Sequence, residues 1–147
     1  MSARTPILWK WKIPCKIKIF LWLALQGRLL CKVYRAKWRP EATTDCVLCG
    51  TAPETIEHLF TNCPFSIRVG FTLAAATGIA CSFQNLDEMW EAMAGGQGQG
   101  DGQAQARFKR IVIPAGMWAI WRVRNERIFK NQPVYFENLW EDLMSLL

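Results

Sequence analysis

The sequence contains no apolar run of the length that a membrane-spanning helix requires. Its longest near-continuous apolar stretch, residues 111–121 of the 147-residue chain, is interrupted by Pro114, whereas a spanning helix needs about 20 apolar residues. Residues 1–6 carry one positive charge, and no clean apolar core with a small-residue cleavage site follows them, which argues against a secretory signal. We therefore expect an intracellular protein, nuclear or cytoplasmic, with no membrane partner.

Several residues and motifs that enzymes use are missing. No Tyr-x-Asp-Asp pair is present to hold the metal ions of a polymerase. The glycine tract at 95–102 lacks the Lys-Ser/Thr pair of a phosphate-binding loop. His58 is the single histidine, so no histidine base remains for serine or cysteine chemistry if it binds a metal. We expect a protein without enzymatic activity.

Acidic residues are absent from the first 40 positions, which carry ten of the 18 Lys and Arg residues. Residues 46–106 have the opposite balance, with six acids against Arg68 alone. One end of the chain could therefore face a polyanion, RNA or DNA. The candidate contacts are Lys10, Lys12, Lys16, Lys18, Arg28, Lys32, Arg35, Lys37 and Arg39. The alternative is that these cations only solubilise an otherwise apolar segment.

The six cysteines fall into two groups. Without a secretory signal they argue against a disulfide framework. Cys15, Cys31 and Cys81 stand alone within apolar stretches, and a lone cysteine in such a setting is usually a small buried hydrophobe.

The other three cysteines and the histidine form the series Cys46-x2-Cys49-x8-His58-x4-Cys63. Zinc prefers four thiolate or imidazole ligands at tetrahedral corners, and Gly50 supplies the conformational freedom that a tight turn after Cys49 needs. All four corners would be filled by protein, so the series predicts one structural Zn²⁺ and no open position for water. The alternative is that these are four reduced residues of a small helical core.

Apolar spacing and capping signals predict a mainly α fold, because no segment alternates as a strand does. Helices are predicted at about 14–26, 29–37, 55–60, 65–77, 85–94, 104–130 and 134–147. Pro114 is expected to kink or break the long helix. The predicted organisation is a small zinc-stabilised helical domain with a Cys3His loop at 9–94, a flexible Gly/Gln linker at 95–103 and a helical C-terminal segment at 104–147.

The chain has eight tryptophans, several of them among the basic residues. Aromatic rings placed between cations can stack on unpaired bases, but they also anchor small cores. The helical spacing of Trp22 favours a position in the core. For Trp9, Trp11 and Trp38 the sequence does not distinguish a core ring from one that stacks on a base.

An apolar stripe lies on one face of the long predicted helix and consists of Trp118, Trp121 and Ile128. Core packing or self-association explains such a stripe more simply than a ligand site. The nearby cations are interpreted as its solvated counterpart: Arg122, Arg124, Arg127 and Lys130.

Three sequence segments follow one another in a characteristic order. They are Trp11-Lys-Ile-Pro-Cys-Lys-Ile-Lys-Ile-Phe-Leu-Trp22, then Gly27-Arg-Leu-Leu30, then the Cys/His series with Glu57-His-Leu-Phe-x2-Cys63. Over about residues 9–69 they resemble the zinc-binding domain that follows the polymerase in reverse transcriptases of plant LINE-type non-LTR retrotransposons. Residues 118–129 resemble the segment that often trails this domain.

The resemblance implies that Cys46, Cys49, His58 and Cys63 are the zinc ligands. It further implies a non-catalytic, retrotransposon-derived module that binds RNA or DNA, with other retrotransposon-derived proteins as further candidate partners. The alternative function is a zinc-stabilised protein-interaction domain or a non-functional retrotransposon relic.

Two positions depart from the family's pattern. Gly70 stands where the family usually has Trp, which predicts looser packing of the helix there. Cys31 stands where Thr is common, which predicts a weak cap for the second helix.

Overall fold

The chain is described by a computed structural model over residues 4–40, 43–95, 101–133 and 135–146. These residues form seven α-helices and one π-helical turn, and no strand, which confirms the mainly α prediction. The helices are α1 (Arg4–Trp9), α2 (Cys15–Leu25), α3 (Lys32–Arg35), α4 (Pro64–Thr77), α5 (Leu86–Ala94), α6 (Asp101–Phe129) and α7 (Phe136–Leu146), with the π-turn at His58–Asn62 between α3 and α4.

The helix ends that carry clear capping signals lie where the sequence predicts them. α4 stops at Gly78, whose φ of +74° is the left-handed conformation that glycine adopts readily. α5 begins after Asn85, whose side-chain oxygen accepts a hydrogen bond from the Glu88 backbone N–H at 2.8 Å. Gly27, with φ +69°, follows the end of α2.

Two short helices differ from the prediction. α1 was not predicted, and α3 spans four residues instead of 29–37. Cys31 is extended and gives α3 no side-chain cap. The first N–H of α3, on Lys32, instead donates to Glu54 Oε1 at 2.8 Å. The carboxylate of Glu54, 22 residues away in sequence, therefore caps α3 in place of a local side chain.

The Gly/Gln tract lies largely outside the described residues, which omit 96–100. Residues 101–103, predicted as the end of the linker, already belong to α6. α6 continues without interruption past Pro114, which is buried within it. In the described ranges, no helix combines the length and the apolar character needed to cross a bilayer.

α6 lies against α2, α4, α5, α7 and the π-turn, so the core forms around it. Phe20 of α2 meets Phe60 and Trp118 edge-on, with ring centroids 5.6 and 5.4 Å apart. Trp22, Trp118 and Trp121 all pack against the buried cluster. The core interpretation is confirmed for Trp22, Trp118 and Trp121, whereas Ile128 of the same stripe is partly buried and lines a surface cleft.

The three tryptophans that the sequence left open divide between core and surface. Trp11 is buried and stacks on Trp90, with centroids 5.3 Å apart. Trp9 and Trp38 keep 42% and 64% of their surface exposed. Only the latter two have the exposure that stacking on a base requires.

Gly70 does not loosen α4 in the way the departure from the family pattern suggested. It is buried, and a Cβ at this position would lie 2.7 Å from the Cys81 carbonyl oxygen. The backbone of the α4–α5 connection therefore packs directly against the glycine. The space that a tryptophan side chain would need is taken by main chain.

Candidate metal centre

The first two candidate ligands lie in a tight loop that its own backbone closes. Cys46 N–H donates to the Ala52 carbonyl at 2.8 Å, and Gly50 N–H donates to the Cys46 carbonyl at 2.7 Å. Gly50 has φ +67°, a conformation that a Cβ would strain. An isolated bridge pairs Asp45 with Pro53 at the base of the loop. Cys46 and Cys49 are thereby held on one side of a turn, as the x2 spacing predicts.

The other two candidate ligands flank the π-turn. Thr55 Oγ1 accepts a hydrogen bond from His58 N–H at 2.9 Å, and the Cys63 N–H closes an i→i+5 bond to the His58 carbonyl at 2.6 Å. Residues five apart in an α-helix point about 140° away from each other. The wider π-turn reduces that angle, and such turns occur often at functional sites. The sequence predicted a helical turn here but gave no signal for its π form.

The structure brings all four predicted ligands together. The Sγ atoms of Cys46, Cys49 and Cys63 and a ring nitrogen of His58 all lie within 4.8 Å of one another. Cys46 Sγ and Cys63 Sγ are 3.9 Å apart, and Cys49 Sγ is 3.2 Å from His58 Nε2. Zn–S bonds of about 2.3 Å place two tetrahedral sulfurs about 3.8 Å apart. The donor set and its spacing therefore fit one zinc ion.

The environment of the four residues suits a closed structural site. Cys46 and Cys63 are buried, and Cys49 and His58 are partly buried. The hydrogen bond to Cys63 and burial raise the pKa of Cys46, whereas the bond from Cys46 lowers the pKa of Cys63. A metal ion held by both sulfurs would require both thiols to be deprotonated and would replace this hydrogen bond. With four protein ligands, no coordination position is left for a reacting water.

Thr51 supports the site from outside the ligand set. Its hydroxyl donates to Cys49 Sγ at 3.3 Å, and such a bond helps to orient a metal-binding sulfur. Thr51 was not predicted from the sequence, although a hydroxyl residue two positions after Cys49 in a tight turn is a usable signal.

The three lone cysteines differ in exposure. Cys31 is buried, Cys81 is partly buried, and burial raises the pKa of the Cys81 thiol to about 11. Cys15 is exposed, so its prediction as a buried hydrophobe is wrong. Cys15 is the first residue of α2, and in that turn Ile17 faces the core instead. All six cysteines are free thiols.

A buried ion pair that was not predicted from the sequence connects the metal loop to α6. Arg124 Nη2 lies 2.6 Å from Glu54 Oε1, and Arg124 Nε lies 3.2 Å from each carboxylate oxygen. Arg124 also donates to the Leu30 carbonyl at 3.1 Å. Its predicted position on a solvated face is wrong, because its side chain is 1% exposed. Glu54 follows the Cys46–Cys49 loop, so this pair anchors the loop to the long helix.

Five of the nine predicted nucleic-acid contacts line two separate clefts. Lys10 and Lys12 line a cleft shared with α6. Lys32, Arg35 and Arg39 line a second cleft of about 170 Å³, together with Thr43 and Ile128.

The other four predicted contacts line neither of these two clefts. Lys16 lies 5.7 Å from the Trp118 ring centroid, and Lys37 lies 5.1 Å from that of Tyr34. Lys18 Nζ donates to the Trp9 carbonyl at 3.1 Å, and Arg28 is exposed. Within the described part of the chain, none of the nine cations forms an ion pair with a carboxylate. Their charge is therefore not neutralised by acidic side chains there.

Comparisons with known proteins bear on the metal loop and its flanks. Neither the curated proteins nor the solved structures gave a match to this chain. A family model described as zinc-binding in reverse transcriptase matches residues 2–69, a range that includes all four candidate ligands. Together with the Cys3His cluster, this match supports a reverse-transcriptase-type zinc-binding domain in residues 2–69.

Proposed function

We propose that this protein is a non-catalytic, retrotransposon-derived zinc module that binds RNA or DNA through its basic N-terminal segment, residues 10–39. The observation that carries the proposal is the set of nine cations in this segment, which have no carboxylate partner among the described residues. A plant LINE-type element is the proposed source, on the order and spacing of the motifs in residues 9–69.

The zinc ion is proposed to act on the fold and not on a substrate. Cys46, Cys49, His58 and Cys63 supply four donor atoms within 4.8 Å of one another, and four protein ligands are typical of structural zinc sites. The site holds the 46–54 loop in shape, and Glu54 of that loop binds the first N–H of α3. The metal therefore helps to place Lys32 and Arg35, which belong to the second basic cleft.

The exposed aromatic Trp38 supports a contact with unpaired bases. It lies between Arg35 and Arg39 in sequence and packs edge-on against Tyr34, with centroids 4.9 Å apart. An exposed ring next to cations can stack on a base while the cations meet phosphates. Phosphate contacts carry no base information, so binding is expected to be weak and largely independent of sequence.

The test is the affinity for single-stranded RNA over a salt series. Each phosphate contact contributes about −0.7 to the slope of log K against log salt. The triple variant Lys32→Gln/Arg35→Gln/Arg39→Gln should lower the affinity and flatten that slope by about 2. A matched variant, Lys109→Gln/Arg122→Gln/Lys130→Gln, removes the same charge from α6 and the residues after it and should bind as the parent does. A parent that binds neither single-stranded RNA nor single-stranded DNA at low salt, or equal losses in both variants, would contradict the proposal.

The alternative, a protein-interaction domain or relic, draws on exposed apolar side chains. Phe71 and Phe129 keep 64% and 66% of their surface exposed. Hydrophobic association does not weaken as salt rises. Association of the protein that persists at high salt, without RNA binding at low salt, would favour this alternative.

A further inference from the structure

Residues 10–13 and the first turns of α6 enclose a cleft of about 360 Å³. Clefts that bind small ligands measure roughly 300–1,000 Å³. Its lining comes from two parts of the chain that are far apart in sequence: Lys10, Trp11, Lys12, Ile13, Arg107, Arg110 and Ile111.

Four of the seven lining residues are cations, and none is acidic. Lys10, Lys12 and Arg107 are exposed, and none of them forms an ion pair within the described residues. Like charges that face one cleft repel each other, and an anion in the cleft relieves that repulsion. The cleft is therefore built for an anionic ligand.

The fourth cation, Arg110, is held in place by its neighbours. Its Nε donates to the Met93 carbonyl at 3.0 Å, and its guanidinium lies 5.6 Å from the Trp11 ring centroid. Trp11 is in turn stacked on Trp90. The two terminal nitrogens of Arg110 have no hydrogen-bond partner in the described ranges. A guanidinium fixed in this way suits bidentate hydrogen bonding to a phosphate.

The rest of the lining is apolar. Ile111 is 44% exposed, and Ile13 is partly buried against the core. A ligand that satisfies this cleft combines negative charge with a weakly polar part that can contact the isoleucines. A phosphate with its neighbouring base fits that description, and a base is free to leave the stack only in a single strand.

We propose that this cleft binds one phosphate and the adjoining base of a single-stranded nucleic acid, with Arg107 and Arg110 of α6 as contacts. The proposal rests on the nucleic-acid-binding function proposed above and extends it beyond residues 10–39. It assigns a binding role to the first turns of α6, outside the segment that matches the zinc-binding family.

The decisive variant is Arg107→Gln, because Arg107 is exposed and lies outside the basic N-terminal segment. Lys109→Gln is the matched control, since it removes the same charge two residues away in the same helix from a side chain that does not line the cleft. Binding of a fluorescent single-stranded RNA oligomer is measured by anisotropy over a salt series. Arg107→Gln should lower affinity about fivefold at roughly 0.1 M salt and flatten the salt slope by about 0.7, while Lys109→Gln should change neither.

Ile111→Ala separates the base contact from the phosphate contact. It should lower the affinity while leaving the salt slope unchanged, because no charge is removed. A duplex of the same sequence should compete less well than the single strand, and polyglutamate should compete poorly. Zinc content and helical circular dichroism equal to those of the parent establish that each variant is folded.

The outcomes separate this proposal from the function on which it rests. If the parent binds RNA and Arg107→Gln binds equally well, the cleft assignment is overturned and the basic N-terminal segment remains the binding surface. If Arg107→Gln and Lys109→Gln lose affinity equally, net charge explains binding and the cleft is again overturned. Strong competition by polyglutamate, or full affinity of Ile111→Ala, overturns the base contact. A parent that binds neither single-stranded RNA nor single-stranded DNA overturns both proposals.

Discussion

Arg124 and Glu54 form an ion pair that is closed to solvent, with side-chain exposures of 1% and 0%. Burying two charges costs free energy, which their attraction and extra hydrogen bonds offset only when the geometry is good. Here Glu54 also accepts the Lys32 N–H, and Arg124 also donates to the Leu30 carbonyl and to Asn125. The pair therefore joins the metal loop, the start of α3 and the long helix in one network.

Removing the Arg124 guanidinium alone should lower the free energy of unfolding. Arg124→Met leaves the Glu54 carboxylate buried without its charge partner, which typically lowers the free energy of unfolding by about 3–5 kcal/mol. Urea denaturation at saturating zinc measures this. Arg122→Met, which changes an exposed arginine on the same helix, should change stability by less than about 0.5 kcal/mol.

Adding Glu54→Gln to Arg124→Met should recover part of the lost stability, because the uncompensated charge is gone and the amide oxygen can still accept from Lys32. If Arg124→Met were as stable as Arg122→Met, the network would not anchor the loop.

The lone thiols should differ in reactivity with iodoacetamide at about pH 8 and saturating zinc. The thiolate is the reactive form, and burial raises the pKa of Cys81 to about 11. Cys81 should therefore be alkylated far more slowly than exposed Cys15. Its rate should rise about tenfold per pH unit as the pH approaches 11. Mass spectrometry of digested protein gives the site-specific rates. Equal rates at Cys15 and Cys81 would contradict the burial of Cys81.

At the level of helices, the sequence correctly predicted the helix ends that are determined by residues next to them. Gly78 and the Asn85 cap set the ends of α4 and α5 where expected, since the signals lie within one turn of the helix end. The short α3 was not predictable, because its first N–H is satisfied by Glu54, 22 residues away. The π-turn at His58–Asn62 was missed for a related reason, since apolar spacing over five residues does not distinguish it from an α-turn.

Substitution by alanine should change the stability in opposite directions at two helical glycines, Gly70 and Gly102. In Gly70→Ala the new Cβ would meet the Cys81 carbonyl oxygen at 2.7 Å, and overpacking of this kind typically costs about 1–3 kcal/mol. In Gly102→Ala the new Cβ meets nothing within 4 Å. Gly102 is the second residue of α6, so alanine should stabilise the protein by less than the ~1 kcal/mol that it gains over glycine in a helix interior. Thermal unfolding of both variants measures the difference. A Gly70→Ala protein as stable as the parent would show that the α4–α5 connection does not press on α4.

At the scale of the whole molecule, the metal cluster was predictable and its connection to α6 was not. The four candidate ligands lie within 18 residues, and each is a residue type that zinc prefers, so residue type and spacing together predicted the cluster. Arg124 stands 70 positions from Glu54, among exposed or partly exposed cations. Nothing local distinguishes a buried arginine from a solvated one in such a series.

The clefts could not be predicted from the sequence either, because they too depend on contacts between distant residues. The basic N-terminal segment was visible as a run without acids, but its partner surface on α6 was not, because Lys12 and Arg107 come together only through the fold. The division into domains at 9–94, 95–103 and 104–147 stays a prediction. α6 nevertheless contacts α2, α4 and α5, so the C-terminal segment packs against the zinc-binding half.

The zinc content of the purified protein is the most direct test of the proposed metal centre. Protein purified under reducing conditions should contain one zinc per chain by elemental analysis, because Cys46, Cys49, His58 and Cys63 form one complete donor set in the described residues. Structural zinc contributes on the order of 10 kcal/mol in small domains, so Cys63→Ser should lose both the metal and the cooperative unfolding transition. Cys15→Ser, which changes an exposed thiol outside the cluster, should keep both. Protein without zinc, or a Cys63→Ser variant with full zinc content and the parent's melting temperature, would contradict the account.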